Sequence, residues 1–279
     1  MKETRAEYLP IQKLRPFEGH PFKVTDNEEM DQLTWSILTQ GLLTPLVVRP
    51  LDNGEYEVIS GHRRLHACKK AGIETVPALI TDMDRDAAAI ALVDSNLQRE
   101  HILPSEKAYA YKLKLEAMNH QGRTSGQVGQ KWTRDEIAEG ESGRQVQRYI
   151  RLTNLIPGIL QKVDEGRIAL TPAVELSYLT DAEQEDLLET MESEDCTPSL
   201  SQAIQMKALS QSGQLDMDTI FHIMTQPKAN QQEKISFKVS ELRDFFPRHY
   251  TAAQMMQEII MAVKERQQRL QRQRNRDAR

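Results

Sequence analysis

The residues best suited to chemistry lie in one short stretch that contains Gly61, Arg63 and Arg64. The stretch follows an apolar run, 55–59, and opens a predicted helix that ends near Gly72. A glycine lets a backbone approach a ligand closely, a new helix offers unpaired N–H groups, and arginines supply fixed positive charge. This arrangement predicts a phosphate site, and the open alternative is a glycine turn with solvent-facing arginines.

A second polar pair, Ser95 and Asn96, falls near the end of the predicted helix 86–99. The amide of Asn96 could coordinate a metal ion or a phosphate, although such a residue more commonly caps or ends a helix. His62 and His66 lack the spacing of zinc ligands with any cysteine or acidic cluster, so we expect no zinc there.

A third set of polar residues predicts a DNA-binding helix. A short helix, 134–139, a turn, 140–143, and a second helix, 144–153, are spaced like a helix-turn-helix, in which the second helix enters the major groove. The first of these helices is shorter than in a standard motif. The candidate DNA contacts are Ser142, Gly143, Arg144, Gln145, Gln147, Arg148 and Arg151. The alternative is an ordinary helical hairpin with a charged, solvated face.

Hydrophobic patterning places the first of these motifs in a small mixed domain and the third among helices. Alternating or β-branched runs predict strands at 8–11, 45–49, 55–59 and 75–80, with helices at 28–39 and 62–71. Beyond residue 82 the pattern is helical, and a helix that begins at Ser105 is predicted to run to about residue 119. The fold class is therefore α+β, with an N-terminal domain at 1–100, a helix-turn-helix domain at 101–180, an acidic helical segment and linker at 181–232, and a helical C-terminal region at 233–279.

The C-terminal region combines a predicted linker at 212–233, a brief β-like alternation at 235–239 and one long helix at 252–279. An apolar stripe on that helix predicts a dimer seam or packing on its own domain. Its basic end, with seven basic and two acidic residues in 264–279, could touch phosphate or remain solvated.

Composition limits the classes of protein that remain. The chain has 279 residues, 39% hydrophobic and 28% charged, with a formal net charge of −5. The charge is uneven, because residues 181–195 hold eight acidic and no basic side chains, so its overall sign decides nothing about nucleic acid. We expect a soluble, cytoplasmic protein without a membrane span, and no disulfide between Cys68 and Cys196.

Taken together, these residues resemble the ParB family of partition proteins, most closely its plasmid and integrative-conjugative-element members. The likeness covers residues 8–180 and rests on four segments: 41–49, 59–67, 96–106 and 142–152. Their order and spacing are specific, whereas no single motif is. The resemblance also implies a sulfiredoxin-like architecture for the N-terminal domain.

The resemblance implies a homodimeric clamp that binds CTP with Mg²⁺ and a palindromic site on double-stranded DNA. It implies a ParA-type ATPase as the usual partner. Carried onto this chain, Gly61, Arg63 and Arg64 would hold the triphosphate, and Asn96 would help to place Mg²⁺.

Two departures bear on activity. His62 and Ser95 stand where the family motifs have glutamates, so two carboxylates are missing beside a metal and polyphosphate site. We therefore expect His62 and Ser95 to belong to a site that binds a nucleotide, with hydrolysis weak or absent.

Two other functions stay open at this point. A transcriptional regulator could use the same DNA-binding fold without partition. A nucleotide-dependent, kinase-like enzyme could use the sulfiredoxin-like domain, but the thiol chemistry of sulfiredoxin is disfavoured because Gly61 occupies the position of its cysteine.

Overall fold

The computed structural model describes residues 4–99, 101–124, 141–226, 245–247 and 249–277. Contacts divide the chain into two compact units, 1–226 and 227–279. Among its described residues, the first unit contains a sheet, ten α-helices and two short 3-10 helices, and the second contains one long α-helix. The fold class α+β is confirmed. The domain boundaries at residues 100, 180 and 232 stay predictions.

The first unit begins with a five-stranded mixed sheet. Its strands are β1 (Thr4–Pro10), β2 (Leu14–Pro16), β3 (Leu46–Pro50), β4 (Tyr56–Ser60) and β5 (Thr75–Thr81), in the order β1-β5-β3-β4-β2. The pairs β1–β5 and β3–β4 are antiparallel, while β3–β5 and β2–β4 are parallel. Strand β2 was not predicted from the sequence, because three residues are too few to show a period.

Two helices cover one part of this sheet. Helix α1 (Glu28–Gln40) begins at Asn27, whose side chain accepts a hydrogen bond from the Met30 N–H, and helix α2 (His62–Lys70) begins at Gly61. The two helices pack on each other and share an apolar core with the strands. Fully buried members of that core are Met30, Leu46, Val58, Cys68 and Val76.

Helices α3 (Arg85–Leu97) and α4 (Pro104–Thr124) form an extensive helix pair. Helix α3 contacts β4 of the sheet, and α4 contacts the helices that follow it. The predicted helix after Ser105 is confirmed, although it runs to Thr124 and not to residue 119. Helix α4 is therefore the element that joins the sheet region to the helical region.

The helical region consists of α5 (Gly143–Arg151), α6 (Pro157–Asp164), α7 (Leu170–Leu176), α8 (Asp181–Ser193), α9 (Leu200–Gln211) and α10 (Met217–Thr225). One apolar core extends through α6 to α10 and reaches Ala108 of α4. Residues on both sides of position 180 contribute to it, for example Leu176 and Leu187.

The predicted linker at 212–233 is wrong for its described part, because 217–225 form helix α10. Asp216 caps this helix by accepting a hydrogen bond from the Thr219 N–H at 2.8 Å, and Ile220 and Ile223 are fully buried. The spacing of these apolar residues is helical, but polar neighbours on both sides obscured it. The predicted segments 134–139 and 235–239 lie outside the described residues.

The second unit shows helix α11 (Ala252–Asp277), which confirms the long C-terminal helix. Met256, Ile260 and Val263 on this helix are exposed. No helix in the described ranges is long and apolar enough to cross a membrane.

Candidate nucleotide and DNA sites

Gly61 makes the turn between β4 and α2, and only glycine suits it. Its φ is +105°, a conformation that L side chains rarely adopt. A Cβ at this position would lie 2.6 Å from Cδ2 of Leu46 and 3.1 Å from Nη2 of Arg64. The first N–H groups of α2 lack intrahelical partners by geometry, so the turn opens onto a helix N-terminus suited to an anion.

The two arginines after this turn have different environments. Arg64 Nη1 donates hydrogen bonds to the carbonyl oxygens of Thr44 and Pro45 at 2.5 and 2.8 Å. Burial lowers the pKa of Arg64 from its usual value. Arg64 therefore braces the chain segment that enters β3, which sequence reasoning did not predict.

Arg63 is the more available arginine. Its Nη2 donates to Oε2 of Glu29 at 2.9 Å, and the Glu29 side chain is 70% exposed. An ion pair with so exposed a partner is weak, because water screens it. A phosphate could therefore replace Glu29 as the partner of Arg63.

His62 is a buried, neutral residue. Its Nε2 accepts a long hydrogen bond from the Phe17 N–H at 3.4 Å, and its ring centroid lies 3.8 Å from that of His20. Burial, followed by the positive charges of His20 and Arg99, lowers the pKa of His62 to about 3. The imidazole therefore holds the loop around residue 17 in place and carries no charge at neutral pH.

His20 and Arg99 complete this cluster, and both were missed as site residues by sequence reasoning. His20 Nε2 is buried with no hydrogen-bond partner within the described residues, and burial lowers the pKa of His20. The Arg99 guanidinium lies 5.4 Å from the ring centroid of Phe22. His20 comes from a loop distant in sequence, whereas Arg99 lies in the segment 96–106 that carries the family resemblance and could have been found there.

Asn96 and Ser95 each donate a hydrogen bond to a carbonyl oxygen of their own helix. Asn96 is buried, and its Nδ2 donates to the Leu92 carbonyl oxygen at 2.8 Å. The Ser95 hydroxyl donates to the same oxygen at 2.9 Å. For Asn96 the sequence left two roles open, coordination of a metal ion and capping or ending of a helix. This geometry is compatible with the second role.

The donor set fits a nucleotide triphosphate better than an isolated cation. Nowhere in the described part of the chain do three or more His, Cys, Asp or Glu residues form a group that could hold a metal ion. Mg²⁺ commonly takes much of its coordination from water and substrate phosphates. A phosphate chain at Gly61 could be bound by the α2 N–H groups and Arg63, and Mg²⁺ could accompany that phosphate chain.

The predicted DNA helix is present as α5. Ser142 is its N-cap and accepts a hydrogen bond from the Gln145 N–H at 3.3 Å. Val146 and Gly143 are buried against the protein, whereas Arg144 is exposed. The preceding helix of the motif, 134–139, lies outside the described residues, so a helix-turn-helix stays a prediction.

Two of the arginines predicted to contact DNA are engaged within the protein. Arg148 donates to Oε1 of Gln145 at 3.2 Å and to Oγ1 of Thr171 at 2.6 Å. Arg151 donates to the hydroxyl and to the carbonyl oxygen of Ser177, both at 3.2 Å. Arg144 and Gln147 therefore remain the better candidates for base contacts on this helix.

A charged cavity of 220 Å³ lies where α3, α4 and the residue before α5 meet. Lys107 of α4 bonds to the carboxylate of Glu141, which directly precedes the cap of α5. Lys114 of α4 donates to Oδ1 of Asp94, the neighbour of Ser95, at 2.5 Å. Helix α4 thus contacts both the residue before the N-cap of α5 and the C-terminal half of α3, which carries Asn96.

The sequence of this chain is similar to those of known proteins. A profile of the ParB N-terminal domain family matches residues 1–97. A probable chromosome-partitioning protein ParB of Vibrio cholerae is 30% identical over 238 residues, which cover 84% of this chain and 77% of that protein. The chain therefore belongs to the ParB family of partition proteins, and the resemblance predicted from its motifs is confirmed.

Other relatives match over shorter spans. The chromosome-partitioning protein Spo0J of Thermus thermophilus is 37% identical over 64% of this chain and 61% of its own length. A nucleoid occlusion protein of Geobacillus sp. is 36% identical over 42% of each chain. Each of these matches covers less than two thirds of the relative's own length.

Two solved structures are also similar. The truncated Caulobacter crescentus ParB bound to the centromeric parS site has a TM-score of 0.43 and 24% identity, covering 74% of this chain and 99% of that chain. The same truncated protein with CTP-gamma-S has a TM-score of 0.32 and 25% identity, covering 67% and 99%. With TM-scores below 0.5, neither likeness supports a conclusion about this chain.

Proposed function

We propose that this partition protein binds a specific site on double-stranded DNA and that a nucleotide triphosphate, CTP with Mg²⁺, controls that binding. The observation that carries the proposal is the Gly61 turn. It leaves an open helix N-terminus beside Arg63 in the same compact unit as the DNA helix α5. Family membership supports both halves of the proposal.

The nucleotide half rests on the chemistry of the cluster. The helix N-terminus and Arg63 supply donors and positive charge for phosphates, while Arg99 lies close enough to lower the pKa of both histidines. His62 and Ser95 supply no carboxylate to orient a metal ion or a water molecule. The proposed site therefore binds and releases the nucleotide and hydrolyses it slowly or not at all.

The DNA half rests on α5. Arg144 is exposed at the first turn of a capped helix, where major-groove helices present their base-contacting residues. Ser142 and Gly143 form the turn that would approach a phosphate. We propose a palindromic site, because the exposed apolar residues of α11 support a homodimer, and a dimer matches a two-fold DNA site.

The test is genome-wide pull-down sequencing followed by binding of the most enriched duplex to the full chain. We expect a sharp peak, and we expect CTP with Mg²⁺, but not ATP, to change the affinity or lifetime of the complex. Equal affinity for the enriched and a scrambled duplex at physiological salt would refute the DNA half. Unchanged DNA binding and no heat of CTP binding in calorimetry would refute the nucleotide half.

A second function is favoured by the relatives named nucleoid occlusion proteins. Such a protein would use the same DNA helix without segregating DNA. Enrichment at many dispersed sites would favour this function, whereas one clustered locus next to a gene for a ParA-type ATPase would favour partition of a chromosome, plasmid or mobile element.

A further inference from the structure

The C-terminal end of α5 is attached to its neighbours through the exposed aromatic ring of Tyr178. The Arg151 guanidinium carbon lies 3.8 Å from the ring centroid, and the Lys207 ammonium nitrogen lies 3.7 Å from it. Two cations so near one centroid would touch and repel each other on the same face. They therefore lie on opposite faces, and the ring is placed between them.

Each member of this stack comes from a different element. Arg151 ends α5, Tyr178 follows α7, and Lys207 lies on α9. Hydrogen bonds add to the stack, since Arg151 also donates to Ser177 and Lys207 pairs with Glu175 at 2.8 Å. Cation–π contacts with both ring faces are favourable because the faces carry the negative part of the ring quadrupole.

We infer that Arg151 is a positioning residue for DNA recognition and not a DNA ligand, and that the Arg151–Tyr178–Lys207 stack fixes the angle of α5 on the protein. This inference rests on the proposed DNA binding by α5. The Nε and Nη2 groups of Arg151 already donate to Ser177, and its guanidinium carbon lies over the Tyr178 ring, so these donors are engaged within the protein. Arg144, at the other end of the helix, is exposed and makes the matched comparison.

An arginine that contacts phosphate and an arginine that only positions the helix give different salt dependences of DNA affinity. Each phosphate contact adds about one to the slope of log affinity against log salt concentration. A positioning residue changes the affinity for the specific site and leaves that slope unchanged. The affinity for random DNA, which depends mainly on phosphate contacts, also stays near the wild-type value.

The experiment measures binding of the full-length protein to the duplex most enriched in the pull-down and to a scrambled duplex, over a series of salt concentrations. The variants are Tyr178→Leu, Tyr178→Phe, Arg151→Ala and Arg144→Ala. We expect Tyr178→Leu and Arg151→Ala each to lower specific affinity about tenfold, which corresponds to about 1.4 kcal/mol, with unchanged slope. Tyr178→Phe keeps the ring and should bind as wild type.

Double substitution provides the second measurement. Because both residues act through one stack, Tyr178→Leu with Arg151→Ala should lose little more affinity than either single variant. Thermal unfolding of Tyr178→Leu checks that the exposed ring is not needed for folding. Arg144→Ala should lower specific affinity as a direct contact, independently of the stack.

Different outcomes test the positioning role of Arg151 and the DNA binding of the protein. A lower slope in Arg151→Ala, or wild-type affinity in Tyr178→Leu, would overturn the positioning role while leaving the DNA function intact. A wild-type protein with no preference for the enriched duplex would instead overturn the proposed function itself.

Discussion

At the scale of single residues, the two neighbouring arginines of the Gly61 motif have separate tasks. Arg64 holds two carbonyl oxygens of the segment before β3, whereas the partner of Arg63 among the described residues is an exposed glutamate. A sequence motif treats them as equivalent. Their surroundings predict that loss of Arg64 affects the stability of the fold, whereas loss of Arg63 affects ligand binding.

Arg63→Ala should abolish measurable CTP binding, because water cannot replace a fixed guanidinium at equal strength. Glu29→Gln should strengthen CTP binding severalfold, because it removes the carboxylate that competes for Arg63. Isothermal calorimetry checks both, with thermal unfolding showing that the fold survives. Wild-type affinity in Arg63→Ala would remove this residue from the site.

The low pKa of His62 makes stability depend on pH. In the unfolded chain His62 has an ordinary pKa near 6.5, whereas in the fold it stays neutral down to about 3. The unfolded state therefore binds the proton first, and stability is full above about pH 6.5 and falls as pH drops towards 3.

From pH 7 to pH 5 we expect His62 to lower the unfolding free energy of the wild type by roughly 2 kcal/mol. The variant His62→Gln should lose less over that range, and His222→Gln, at an exposed histidine of α10, should behave as wild type. Urea unfolding at both pH values measures the difference. Identical pH dependence in wild type and His62→Gln would contradict a buried neutral imidazole.

At the scale of elements, hydrophobic period and turn residues were sufficient to predict four of the five strands and the helices up to α4. They failed where an element is defined by distant partners. Strand β2 exists because Leu14 pairs with Tyr56 of β4, and α10 is stabilised by burial against α8 and α9.

The features of the candidate sites also divide into local ones, which the sequence indicates, and ones that depend on distant partners. The Gly61 turn and the helix that forms α5 are local, so sequence alone predicted them, whereas the N-cap role of Ser142 was not predicted. The stacking of His20 on His62 and of Arg151 on Tyr178 joins residues from separate elements, and nothing in their spacing indicates it. The hydrogen bonds that Arg64 and Arg151 make within the protein were not predicted, because their partners, Thr44 and Ser177, give no signal in the sequence.

Helix α4 depends on one buried carboxylate at its start. Glu106 accepts hydrogen bonds from the Leu103 N–H at 3.2 Å and the Lys23 N–H at 2.7 Å, so it caps the helix and attaches the loop that carries His20. Glu106→Gln should cost about 2 kcal/mol, because hydrogen bonds to a charged acceptor are stronger than neutral ones. Glu116→Gln, exposed on the same helix, is the control. Chemical unfolding measures both, and equal stability of the two variants would exclude this capping role.

At the scale of the whole molecule, helix α11 carries an exposed apolar stripe, and no described residue covers it. Met256, Ile260 and Val263 are exposed and separated by four and three residues, which is the spacing of a two-helix coiled coil. A second copy of the chain would cover the same stripe on both helices.

Ile260→Lys should convert a dimer into a monomer, since a charged side chain in the seam cannot be desolvated without cost. Gln257→Lys adds the same charge at a polar, exposed position and should leave the dimer intact. Light scattering after size-exclusion chromatography distinguishes the two masses. A dimeric Ile260→Lys variant would move the dimer contact away from this stripe.

The seven-residue pairing of β1 with β5 has a consequence for handling the protein. Strand β1 forms one edge of the sheet and shields β5, whose Val76, Ala78 and Ile80 are buried. Proteolytic trimming that removes β1 would uncover an apolar strand with a row of unpaired backbone groups, which is a template for intermolecular β-aggregation. Samples nicked near residue 10 should therefore precipitate, even though every residue of the proposed nucleotide and DNA sites is still present.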